Sequence, residues 1–127
     1  MIVADASVVF DALRGITRAR ERIDGEELAA PHLIDLEVTS SLRSGMTTLG
    51  IKPDQAHRIL RKLADMPVKR FEHTDFLPRI WELRHNITPY DAVYVVLTEQ
   101  LDVPLLTVDR KLANAPGLTV TIEVLAV

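Results

Sequence analysis

Two short apolar runs end on an acid and give way at once to a helical pattern, "MIVADAS" at the start of the chain and "PLLTVDRKL" near its end. Each run is too brief for a helix and reads as a compact buried strand. An acid at such a junction is well placed to cap the helix that follows. Between the two runs, longer stretches carry apolar residues every three or four positions, so strands alternate with helices. Helical crossovers join parallel strands, and the pattern predicts an α/β fold whose central, mostly parallel sheet is flanked by helices.

Along the chain, a first strand covers 2–4 and a helix over 6–13 stops near Gly15. Arg18, Arg20, Glu21 and Arg22 mark a second, exposed helix. In "APHLIDLEVTSSLRSG" Pro31 suits a first helical turn, and Ile34, Val38, Leu42, Gly45 and Leu49 share one face. Glu37 lies about 100° from Val38, at the edge of that face, and is expected to look into a cleft beside the core. "IKPDQAHRILRKLADMP" repeats the helical signature with Ala56, Ile59, Leu60 and Leu63 inward, Pro67 ends it, and 68–71 returns as a strand. "LPRIWELRHN" reads as a helix covering Leu77, Ile80 and Trp81. The best-marked helix is "ITPYDAVYVVLTEQL", with Thr88 as N-cap, Pro89 in the first position and Asp91 in the third. A strand ending at Asp109, a short helix over 110–114, a turn at Pro116-Gly117 and a last strand in "LTVTIEV" complete the reading.

A length of 127 residues suits one domain, 1–127, whose core needs no metal or disulfide staple. Cysteine is absent, which excludes disulfides, thiolate metal ligands and thiol catalysis. No run approaches the ~18 apolar residues of a membrane span. Asp5 and Asp11 interrupt what would be a signal sequence, so a soluble, cytoplasmic protein without membrane contact is expected. The formal charge of −3 argues against a general nucleic-acid coat, whose affinity comes largely from lysine and arginine. It does not argue against a nuclease, whose acidic centre is neutralised by cations.

In a parallel sheet Asp5 and Asp109 emerge at the same carboxyl edge, where open α/β sheets bind ligands. Asp91, at a helix start, faces the same crevice, and Glu37 is the fourth candidate. Each acid alone is explained as a cap or a solvated side chain. Projected into one crevice they repel, and they need a proton or a cation. Only oxygen ligands are offered: His32, His57, His73 and His85 are scattered, with no His-x-x-x-His spacing. Magnesium, or manganese, therefore suits the crevice better than zinc. Acids around magnesium serve phosphoryl chemistry, in which the cation acidifies a water and orients it in line with a phosphodiester. Ser7 and Thr107, each two residues from an acid, are placed to orient a carboxylate or bond a water.

These positions resemble a PIN-domain ribonuclease and, more closely, a VapC-type toxin of VapBC toxin-antitoxin systems. "MIVADAS", "PHLIDLEVTSSL", "ITPYDAVYVVLTEQL" and "PLLTVDRKL" are similar, in that order, to the family's acidic segments, and the resemblance covers essentially the whole chain. It implies a PIN-like three-layer sandwich. It also implies that Asp5, Glu37, Asp91 and Asp109 are the catalytic, metal-holding acids and that Ser7 and Thr107 are active-site hydroxyls, with Asn86 nearby. Asp5, Asp91 and Asp109 would contact the metal, and Glu37 would hold it or orient the water. The activity implied is a magnesium-dependent endoribonuclease that leaves a 5′-phosphate and a 3′-hydroxyl on its RNA substrate. The partners implied are a second copy in a homodimer and a cognate antitoxin protein, whose C-terminal segment wraps the toxin.

For RNA, Arg14, Arg18, Arg20 and Arg22 are candidates for one wall of the cleft, and Arg110 and Lys111 for contact with backbone phosphates. An apolar groove between the early helices would take the antitoxin segment, and helices around 59–81 would serve dimerisation. The alternatives are an RNA-processing or DNA-acting nuclease of the same fold and an inactive, partner-binding PIN domain.

Overall fold

The computed structural model describes residues 1–126. Five strands, β1 (Ile2–Ala4), β2 (Leu28–Pro31), β3 (Val68–Phe71), β4 (Leu105–Thr107) and β5 (Ile122–Val124), form one sheet in the order β3-β2-β1-β4-β5. Every neighbouring pair is parallel, so the sheet is parallel throughout. Between the strands run α1 (Ala6–Leu13), α2 (Thr17–Ile23), α3 (Leu33–Thr48), α4 (Pro53–Asp65), α5 (Leu77–Glu82), α6 (Pro89–Leu101) and α7 (Arg110–Ala113). Right-handed crossovers place α1 to α4 on one face as the chain steps from β1 out to β3. The return to β4 puts α5 and α6 on the other. Accordingly α1 packs on α2 and α3, while α5 packs on α6.

With helices on both faces, the three central strands bury everything they carry, Val3, Ala4, Ala29, Ala30, Leu105 and Leu106 being fully enclosed, whereas the edge strands β3 and β5 are only partly covered. α6 is enclosed almost as completely, since every residue from Ala92 to Thr98 is buried. α4 is the opposite case, a surface helix that buries Ile59 and Leu63 and leaves its charged face to water. Gly45 lets α3 approach its neighbours, because a Cβ there would lie 2.8 Å from Ile51 Cδ1.

Most elements fall where the sequence places them, with four differences. β2 lies in a stretch read as a lead-in to a helix. Its last residue, Pro31, pairs with Phe71 instead of opening α3, which begins at Leu33. Leu49 and Leu60 are exposed rather than inward. Leu77 and Trp81 are 52% and 66% exposed, and Arg84 lies over the indole at 4.6 Å. The last strand is confined to Ile122–Val124, shorter than the apolar run around it.

Candidate active site

β1 is too short to carry its chain past the sheet edge, so Asp5 stands at its carboxyl end and caps α1. Its Oδ1 accepts from the backbone N–H of Ser7 at 3.1 Å and of Val8 at 3.3 Å. The Ser7 hydroxyl donates to the same oxygen, and Thr107 Oγ1 donates to Oδ2. Thr107 ends β4, the neighbour of β1, so the second bond crosses strands. The network continues outward: Val108 N–H donates to Ser7 Oγ at 3.2 Å and Asp109 N–H to Thr107 Oγ1 at 3.0 Å. Ser7 and Thr107 thus hold Asp5 and tie the two strand ends together. Asp109 caps α7 by accepting from Lys111 N–H at 2.8 Å.

The other two acids arrive on helices. Thr88 caps α6, taking the Asp91 N–H at 3.3 Å, and this fixes Asp91 in the first turn. Glu37 sits in the second turn of α3, between the buried Ile34 and Val38 stripe and the exposed side. All four acids, with Ser7 and Tyr94, line one cleft of about 320 Å³ at the carboxyl edge of the sheet. A larger groove of about 430 Å³, bounded by Leu13, Ile23 and Met66, lies away from these acids.

Electrostatics in the acidic cleft are unfavourable to negative charge. Burial raises the Asp5 pKa, and the hydrogen bonds from Ser7, Thr107 and the α1 backbone only partly offset it. Burial raises Glu37, with Asp91 and Asp5 adding repulsion, and burial followed by repulsion from Asp109 raises Asp91. Among the described residues, none of the four is paired with a lysine, arginine or histidine. Glu37 Oε1 is buried without a hydrogen-bond partner. Tyr94 lies close enough to lower the proton affinity of Glu37, but its hydroxyl is outside the geometry of a formed bond and is itself unpartnered.

Crowded, uncompensated carboxylates of this kind fit a hard divalent cation. Among the described residues no three His, Cys, Asp or Glu side chains converge tightly enough to ligate an ion unaided. The four histidines are all exposed and stand apart from the cleft.

Not every expected neighbour is present. Asn86 does not line the cleft; its amide lies against Gly117, which has φ 77° and no room for a Cβ. Arg14 is engaged by Asp11 at 3.0 Å, and Arg22 by Glu26 and Glu123 at 3.0 and 2.6 Å. Neither is free for a phosphate. Arg18 and Arg20 are exposed on α2, while Arg110 and Lys111 are exposed immediately beside Asp109. Tyr94 was not singled out from the sequence, although it follows Asp91 by three residues and so shares its helix face.

The family model of the PIN domain matches residues 2–118. The Mycobacterium tuberculosis protein named Ribonuclease VapC1 is 43% identical over 129 aligned residues, covering 95% of each chain. VapC ribonuclease Mb0985 of Mycobacterium bovis is 38% identical over 114, covering 90% of each. Among solved structures, VapBC2 of Rickettsia felis, bound to a DNA fragment from its promoter, superposes with a TM-score of 0.70 over 99% of this chain and 100% of that one. Its 12% identity speaks for the fold alone. A matching domain model along nearly the whole chain and relatives at this identity place the protein in the PIN-domain family, within its VapC group.

Proposed function

We propose that this protein is a magnesium-dependent endoribonuclease, the toxin of a toxin-antitoxin pair, with its reaction centre in the cleft of Asp5, Glu37, Asp91 and Asp109. One observation carries the reading: four carboxylates from β1, α3, α6 and the end of β4 share a cleft without a single basic partner among the described residues. The VapC ribonucleases to which the chain is similar support RNA as the substrate.

Asp5, Asp91 and Asp109 would hold the cation, and Glu37 would hold it or orient the attacking water. Bound there, magnesium supplies a more acidic water and neutralises charge on the phosphate. Ser7 and Thr107 keep the Asp5 carboxylate from rotating at the cleft wall. Water attacks phosphorus, the P–O3′ bond breaks, and the strand ends become a 5′-phosphate and a 3′-hydroxyl. Arg110 and Lys111, next to Asp109, position the RNA backbone.

Two surfaces fit the partners. The groove of about 430 Å³ bounded by Leu13, Ile23 and Met66 offers an apolar floor for an antitoxin segment, with Arg20 and Lys62 at its rim. Leu77, Trp81 and Tyr90, all exposed, form an apolar face suited to a second copy of the chain. The test of the activity is cleavage of labelled RNA and DNA with magnesium and with EDTA. RNA cut only in magnesium is the expected result; DNA cut while RNA stays intact overturns the substrate, and RNA cut equally in EDTA overturns the metal.

A further inference from the structure

Tyr94 is 2% exposed, and its hydroxyl is one of two buried side-chain polar atoms without a hydrogen-bond partner among the described residues. The other is Glu37 Oε1. The two residues come from different helices and line the same cleft. An unpaired buried donor or acceptor is costly, and here one of each stands unpaired in the same cleft. A phenol has a proton to give, whereas an ionised carboxylate only accepts.

Packing alone does not explain the hydroxyl. A phenylalanine would fill the same volume and leave no polar atom stranded. The ring is also enclosed, since α6 is buried from Ala92 to Thr98 and Tyr94 itself is almost wholly covered. Glu37 has more freedom, since no side-chain or backbone group of the described residues bonds to either of its oxygens and its Oε2 is not a buried atom. A fixed donor beside a free carboxylate is the arrangement that orients an acid.

Resting on the reading of the cleft as a metal-dependent nuclease centre, we propose that Tyr94 is the positioning residue for Glu37: its hydroxyl donates to Oε1 in the loaded cleft and leaves Oε2 directed at the bound ligands. Tyr94 touches neither the cation nor the RNA, and acts through Glu37 alone.

The test compares full-length wild type, Tyr94→Phe, Glu37→Gln and the double variant, with Mn²⁺ titrated calorimetrically as the probe and RNA cleavage measured in magnesium. Without metal, Tyr94→Phe is expected to melt no lower than wild type, because it removes an unpaired hydroxyl and no formed bond. Its Mn²⁺ affinity falls about tenfold, as for other groups that orient a ligand from behind, and kcat falls with KM for RNA unchanged. In the Glu37→Gln background the same substitution changes Mn²⁺ affinity no further. Wild-type affinity in Tyr94→Phe, or an equal loss in both backgrounds, overturns the positioning role while leaving the nuclease reading intact. A wild-type protein that binds no Mn²⁺ and cuts no RNA overturns the nuclease reading itself.

Discussion

Asp91 is held between two demands. Its backbone serves the start of α6, and its carboxylate faces Asp109 across the cleft, which together with burial raises its pKa. Replacing it with asparagine keeps the shape and removes the charge. Asp91→Asn is therefore expected to lower RNA cleavage by at least about a hundredfold, the scale of losing one electrostatic contact to a reacting centre. The same variant is expected to melt higher than wild type in EDTA, since the repulsion is gone. A matched pair of measurements, cleavage rate in magnesium and melting temperature in EDTA, checks both signs. A role limited to capping predicts the reverse, little loss of cleavage and no gain in stability.

At the scale of elements, Thr88 sets the position of the α6 start and so of Asp91 and Tyr94 after it. Thr88→Ala removes one cap and is expected to cost about 1 kcal/mol of folding stability by urea titration. The capped helices 6–13 and 89–101 were legible in the sequence because an acid or hydroxyl stands at the junction and apolar periodicity follows. The four acids were legible for the same reason, since each lies at a strand end, a helix start or a helix-face edge. β2 was not legible. Buried on both faces, Leu28–Pro31 has no alternation to betray a strand, and its proline imitates a helix start. In its true place Pro31 ends the ladder, and the next amide, His32 N–H, donates to the Phe71 carbonyl at 3.0 Å. Trp81 was misplaced because a helix of six residues is too short for periodicity to fix its buried side. Tyr94 escaped notice because its role lies in an unpaired atom, and pattern does not record pairing.

For the whole molecule, Asp5, Glu37 and Asp91 all bind protons more tightly folded than unfolded. The folded chain then holds the greater number of protons between the ordinary carboxylate range, near about pH 4, and the raised values. Stability in that window falls as pH rises. Melting temperature in EDTA is expected to drop as pH is raised from about 5 to about 7, and saturating magnesium to flatten the drop by compensating the ionised acids. A profile in EDTA as flat as that in magnesium removes the basis for this expectation. For the proposed contact of a second copy with Leu77, Trp81 and Tyr90, wild type is expected to scatter light as a dimer and Leu77→Asp as a monomer, with melting temperature changed little because the side chain is half exposed in the single chain; a wild-type monomer overturns that contact.

The bond from Thr107 to Asp5 joins residues 102 positions apart. While a ribosome is still making this chain, Asp5 emerges early and waits for a hydroxyl that is translated near the end, along with Asp109. A nascent chain stalled before β4 carries three of the four acids and lacks the Thr107 side of the clasp that orders Asp5. The four-acid cleft is thus completed only when the last strands of the sheet have been made.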